Sequence, residues 1–342
     1  MHYSKQPLSI SEQAQLLRDR GLVCDDRPRL EHYLANIGYY RLSAYLLPFE
    51  QPSSKGNSRN HQFLPNTTFE QVLDLYVFDR KLRLLVMEAI ERIEVSARTR
   101  WASTMALRHG SHAQMNSALF KNPWQHASDL ARISNELKDS NETFVVHYRD
   151  KYTAPYLPPI WAIVETMSLG GLSRWIASTN DKEVKREIAK ALGMPTIEIL
   201  EQVLHALTPL RNICAHHARL WNRRFIMLLP NIKRLRGQLI TETIATSTGE
   251  TQQPLTREIY NFLVIIQYLM QQINPSTTWG ARIIAHIQPL TPAQQTAMGF
   301  PADWETRQPW TPASNPRKPP QRPSGDTPDL FILSAQAGMR VK

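Results

Sequence analysis

Thr208-Pro209-Leu210-Arg211-Asn212-Ile213-Cys214-Ala215-His216-His217-Ala218-Arg219-Leu220-Trp221-Asn222-Arg223-Arg224 is the stretch on which the reading of this chain turns. Leu207, Leu210, Cys214, Ala218 and Trp221 recur at three- and four-residue steps, the period of a helix with one apolar face. At ~100° per residue, His205, Asn212, His216, Arg219 and Arg223 fall on the opposite side. Arg211 sits near the border, ~140° around the axis from His216, a gap its long side chain partly spans. The spacing predicts helix throughout the stretch, with Pro209 marking a kink or a helix start.

A stripe of imidazole, amide and guanidinium groups suits chemistry on a phosphodiester. An imidazole exchanges a proton near neutrality, and a guanidinium offers a planar, permanently charged fork that matches phosphate oxygens. An amide one turn earlier can orient the ring or hold a substrate oxygen. The competing reading is an ordinary solvated helix face, and composition alone leaves both open.

Arg211, Asn212 and, after three more residues, His216 resemble the R-x4-6-H signature of HEPN-domain ribonucleases, in the form found in the abortive-infection Abi family of the AbiD and AbiF type. Other stretches resemble that family in the expected order. They are Leu34-Ala35-Asn36-Ile37-Gly38-Tyr39-Tyr40-Arg41-Leu42-Ser43, then Tyr76-Val77-Phe78-Asp79-Arg80-Lys81-Leu82-Arg83 running into Glu91-Arg92-Ile93-Glu94. Pro159-Ile160-Trp161-Ala162 with Met167-Ser168-Leu169-Gly170 follow, and Met298-Gly299-Phe300-Pro301 with Trp304 and Trp310 close the series. The resemblance spans most of residues 15 to 310.

What it implies is an all-α, HEPN-like helical bundle and a metal-independent endoribonuclease serving anti-phage defence. In such enzymes two motifs face each other, and this chain holds one, so the resemblance implies a homodimer. Arg211, His216 and Asn212 would be catalytic, with His217, Arg219 and Arg223 as weaker candidates for RNA contact. No cofactor and no metal are expected, and some relatives work with a structured noncoding RNA. Two rivals remain: a protein that holds RNA without cutting it, and a DNA-binding regulator that lays the basic helix in a groove.

Bulk properties agree with a polyanionic partner. The chain has 342 residues, 42% of them hydrophobic, and 40 Lys and Arg against 30 Asp and Glu give a net charge of +10. This favours nucleic acid first and an anionic membrane surface second. Cys24 and Cys214 are far apart and lack metal-ligand spacing, which fits a reducing cytoplasm. Cys214 falls on the apolar face and reads as core. The start lacks the pattern of a secretory signal, and the longest apolar run, Phe262 to Ile266, is far shorter than the ~18 residues a membrane span needs.

Taken in order, Ser9 or Ser11 with Glu12 predicts a capped helix ending near Gly21, and Pro28 opens a second that stops at Gly38. Tyr39, Tyr40 and Arg41 either stack on a base and touch phosphate or, the commoner case, pack. Residues 1–49 thus form a small N-terminal helical unit, residues 50–66 a flexible loop, 67–310 the HEPN-like domain, and 311–342 a disordered, Pro-rich basic tail. From Phe69 to about Arg108 runs a long helix with an apolar stripe through Val72, Leu73, Tyr76, Val77, Leu84, Met87, Ile90 and Ile93. Asp79 with Arg83, and Glu94 with Arg98, read as ion pairs along its other faces, and Glu94 and Arg98 have a second reading as braces for the motif helix. A helix is predicted from Ala127 to Tyr148, another after Pro159 halted by Gly170-Gly171, an amphipathic one over Asp181 to Leu192, and a last strong one from Arg257 to Ile273. Lys233, Arg234 and Arg236 form a basic cluster, either a track for an RNA backbone or an exposed turn.

Overall fold

In the computed structural model of this chain, the described residues are 2, 6–52, 59–245, 251–252 and 255–311. The described residues up to Thr311 form one compact unit whose framework is helical. All but Thr311 of the tail expected over 311–342, the middle of the loop expected over 50–66, and part of the Thr-rich segment before Pro254 lie outside the described residues.

The N-terminal helices begin where their caps demand. Ser9 and Glu12 close a reciprocal capping box on α1 (Ile10–Asp19), and Asp26 accepts the Arg29 N–H at the head of α2 (Arg27–Ile37). Gly38, at φ 86°, ends α2 and starts α3 (Tyr39–Leu46), a bend that a side chain would strain. Thr68 and Gln71 cap α4 (Phe69–His109), whose 41 residues make a rod ~60 Å long.

That rod is the spine. α3 packs along it, as do α7 (Ile160–Ile163), α9 (Lys182–Ala191), α10 (Ile197–Ala215), α11 (Ile259–Ile273) and α12 (Trp279–Ile287). The other later helices are α5 (Pro123–Lys138), α6 (Thr143–Lys151), α8 (Leu169–Ser178) and α13 (Pro292–Thr296). The one strand pair among the described residues joins Ile244–Ala245 to Thr251–Gln252. Every residue of α11 from Ile259 to Met270 is buried, so this helix is apolar all round because it has no solvent face. Its Asn261 is satisfied by Ile240 and Thr256 backbone groups at 2.9–3.1 Å.

Several expectations change. The helix predicted over 127–148 is two, α5 and α6, separated at Asp139. Gly170 and Gly171 do not halt a helix but lie in the first turn of α8, capped by Ser168. A Cβ on Gly170 would stand 3.0 Å from Thr208 Cγ2, so the glycine is there to let α8 and α10 approach. Along α4, Leu84 is 60% exposed, whereas Asp79, Arg83 and Glu94 are buried. Asp79 occupies the register Leu75, Asp79, Leu82, Val86, Ile90, Ile93, which is the true core stripe, and Arg83 and Glu94 border it.

Candidate functional site

α10 begins at Thr196, whose hydroxyl accepts the Ile199 N–H, and buries Leu200, Val203, Leu204, Leu207, Leu210 and Cys214 against α8, α4 and α9. Pro209 lies within the helix and does not end it. On the outer surface His205 and Asn212 are exposed, two turns apart on one face.

The helix expected to run on to Arg224 stops at Ala215. His217 adopts φ 57°, its N–H donates to the Cys214 carbonyl at 3.1 Å, and the Ala218 N–H donates to the Ile213 carbonyl at 3.0 Å. These two bonds make a left-handed C-terminal closure in which His217 takes the place usually given to glycine. A non-glycine residue there costs ~1–2 kcal/mol. The apolar period survives beyond the turn by coincidence: Trp221 is buried, but through the following loop and not through a helix face.

What holds that loop is a buried carboxylate. Asp79 is fully buried, and its Oδ1 accepts the N–H of Leu220 at 3.1 Å and of Trp221 at 2.6 Å. Its Oδ2 accepts the Tyr45 hydroxyl at 2.5 Å and is ion-paired with Arg83. Burial first, and the nearby Asp79 charge second, push the Tyr45 hydroxyl well up from its ordinary pKa, so it stays a donor. The expectation that Asp79 and Arg83 form a simple pair on an outer helix face is thereby corrected. Glu94 and Arg98, proposed as braces, are ion-paired; Arg98 also donates to the Met167 carbonyl at the entrance to α8.

α3 grips the same loop from the other side. Arg41 Nη1 donates to the His217 carbonyl at 2.5 Å, and Arg219 Nη1 donates to the Ala44 carbonyl at 2.8 Å. Tyr40, expected to pack, is 92% exposed beside Arg41. Sequence reasoning gave Arg41 no partner; the only signal was its place next to two tyrosines after a helix-ending glycine.

Of the six predicted site residues, Asn212, His216 and His217 are exposed, and Arg211 is half-buried. His217, a weaker candidate for RNA contact, has its side chain open to solvent. Arg211 Nε is buried with no hydrogen-bond partner among the described residues. No side-chain hydrogen bond joins Arg211, Asn212 and His216 among the described residues. Arg219 and Arg223 each spend a donor on the backbone, Arg223 Nε reaching the Arg219 carbonyl at 2.7 Å. In the basic cluster further on, Arg234 is tied to Tyr268 Oη at 2.7 Å. Burial pushes the Cys214 thiol up to about 12, which keeps it protonated and agrees with a core role.

Among the described residues no three His, Cys, Asp or Glu side chains converge as a metal site requires, and no helix is long and apolar enough to cross a membrane. A family model described as "Abi-like protein" matches residues 32–222, from α2 to the loop after α10, and so takes in Arg41, Asp79, Arg211 and His216. No curated protein and no solved structure matches the chain.

Proposed function

The chain belongs to the Abi-like protein family, whose members are abortive-infection proteins, and from that premise we propose that it is a HEPN-type endoribonuclease with a composite site at a homodimer interface. The observation that supports this best is the presentation of the motif. Asn212 and His216 are exposed at the end of a packed helix, while the turn behind them is fixed by Asp79, Arg41 and Arg219. A backbone turn held in place, with an imidazole and an amide that solvent can reach, is a frame on which catalysis on a polynucleotide can be built.

In this reading the RNA 2′-oxygen forms a bond to the adjacent phosphorus as the bond from phosphorus to the 5′-oxygen breaks. His216 takes the 2′-hydroxyl proton, and His216 of the partner subunit returns one to the departing 5′-oxygen. The products are a 2′,3′-cyclic phosphate and a 5′-hydroxyl. Arg211, half-buried one residue before Asn212, balances charge on the phosphoryl oxygens. Asn212 orients the imidazole or the phosphate. Purified protein is incubated with RNA and a chelator, and the ends are characterised. His216→Ala is expected to lose ~10²- to 10⁴-fold in rate while keeping the fold; full activity in that variant removes His216 from the mechanism.

One observation favours a second reading, in which the protein holds RNA without cutting it. No neighbouring side chain among the described residues orients the His216 ring. RNA binding without 5′-hydroxyl ends, in a preparation shown to be dimeric, would establish that alternative.

A further inference from the structure

At the far end of α10, ~22 Å along the axis from Arg211, lies a cleft of about 700 Å³ between α9, the head of α10 and the segment before α5. Its cations are Lys121, Lys182, Lys185 and Arg186, against the carboxylates of Glu198 and Glu201. A side lobe of about 340 Å³ shares Arg186 and the Pro195–Ile197 wall and adds Lys190 and Arg234, with no carboxylate in its lining.

Lys185 is the telling residue. It is 3% exposed, and its ammonium donates to the Ala177 carbonyl at 2.9 Å and to Glu201 Oε1 at 2.7 Å. An ammonium has three protons to donate, and the third has no protein acceptor among the described residues. Burial drives the Lys185 pKa down, Glu201 opposes this, and the neighbouring Lys121 ammonium drives it down further. Lys121 and Lys182 have no ion pair among the described residues. The lining sets four cations, Lys121, Lys182, Lys185 and Arg186, against the carboxylates of Glu198 and Glu201, and Arg186 is ion-paired with Glu183 outside it; with the unused Lys185 donor on a buried wall, the cleft keeps a net positive charge. No aromatic side chain lines either lobe, so nothing there offers a platform for a base.

We propose that this cleft binds a polyphosphate group, with Lys121, Lys182 and Lys185 seating one phosphate beside the first N–H groups of α10 and the side lobe receiving the next. The size falls within the ~300–1,000 Å³ of small-molecule sites, and the start of α10, where the Thr196 hydroxyl takes the Ile199 N–H, presents its positive dipole end to the same charge. The source is either a free nucleotide or the 5′-triphosphate end of an RNA, which share this chemistry. This site is independent of the nuclease reading, and neither depends on the other.

The test is calorimetric titration of the full chain with inorganic tripolyphosphate. Saturable binding of one ligand per chain is expected. Lys121→Gln/Lys182→Gln, both exposed and distant from the core, should weaken it by about tenfold or more, the scale of a lost charge-assisted contact pair, with the unliganded melting temperature unchanged. Displacement by ATP but not by a 5′-triphosphorylated oligoribonucleotide assigns the free nucleotide; the converse assigns the RNA end. Absence of saturable binding, or an equal loss in a Lys138→Gln/Lys151→Gln control, overturns the proposal.

Discussion

The backbone N–H of Trp221 donates to Asp79 Oδ1 at 2.6 Å across 142 positions of sequence. Asp79 sits a quarter of the way along the longest helix, and Trp221 lies just past the turn that presents His216. The geometry of the motif turn is therefore set by a carboxylate far away in the chain. Tyr45 and Arg83 complete the set of donors, so three separate segments meet at one buried charge.

Asp79→Ala strands the Arg83 guanidinium in the core and leaves the Leu220 and Trp221 N–H groups without an acceptor. Removing one member of a buried pair costs ~3–5 kcal/mol. Asp79→Ala/Arg83→Met deletes the stranded charge too and should regain part of that loss. Urea unfolding measures both; a cost below ~1 kcal/mol for the single variant would mean that water replaces the carboxylate.

How far the sequence alone carries is visible in these residues. The all-helical class, the long rod from Phe69 to about Arg108, a first helix capped at Ser9 or Ser11, and the helix from Asp181 follow from period and capping chemistry, which are local. The end of α10 does not, because the left-handed closing residue is a histidine and carries no glycine signature. The buried role of Asp79 was legible in part: it stands four residues after Leu75 and three before Leu82, in core register. Its partners were not, since Tyr45 and Trp221 are joined to it only by the tertiary fold. The exposure of Tyr40 and the grip of Arg41 on the His217 carbonyl are equally non-local.

His217→Gly tests the strain at the motif turn. At φ 57° the histidine pays a steric penalty that glycine does not, although glycine also loses more chain entropy on folding. The net expectation is unchanged or slightly raised stability, within about 1 kcal/mol, whereas His217→Val should lose ~1–2 kcal/mol because a β-branched residue tolerates this region poorly. If the proposed RNA cleavage survives in the glycine variant, the backbone role of His217 is separate from the chemistry proposed for His216. Its complete loss there would place the His217 ring in the site.

Asp181 gives a pH dependence with a definite sign. Burial would raise its carboxyl, but hydrogen bonds from Arg108, His109 and the Glu183 N–H outweigh that and hold it at about 2, below its ordinary 3.8. A carboxylate with a depressed folded pKa contributes stability that is complete above the unfolded value and disappears as pH falls through the folded one. The stability difference between the wild type and Asp181→Asn should therefore be constant above about pH 4 and close between about 3.8 and 2. Thermal melts of the pair over that range decide it, and a gap that persists unchanged to pH 2 would contradict the ion pairing of Arg108 and His109 with Asp181.

The closeness of α8 and α10 makes the last expectation a paired one. A Cβ on Gly170 would meet Thr208 Cγ2 at 3.0 Å, tighter than ordinary van der Waals contact, and Thr208 is held in place because its hydroxyl donates to the Leu204 carbonyl at 3.1 Å. Gly170→Ala gains helix propensity of ~1 kcal/mol but forces the helices apart, at ~1–3 kcal/mol for an overfilled contact. Thr208→Ser removes the offending methyl while keeping the hydroxyl and its bond. Gly170→Ala/Thr208→Ser should then be more stable than Gly170→Ala by more than the Thr208→Ser change alone explains, a coupling of ~1 kcal/mol or more readable in a double-mutant cycle. Because α10 carries Arg211 and Asn212, the proposed RNA cleavage should also fall in the single variant and recover in the double variant. Simple additivity of the two changes would show that α8 yields to the added methyl without disturbing the helix that bears the motif.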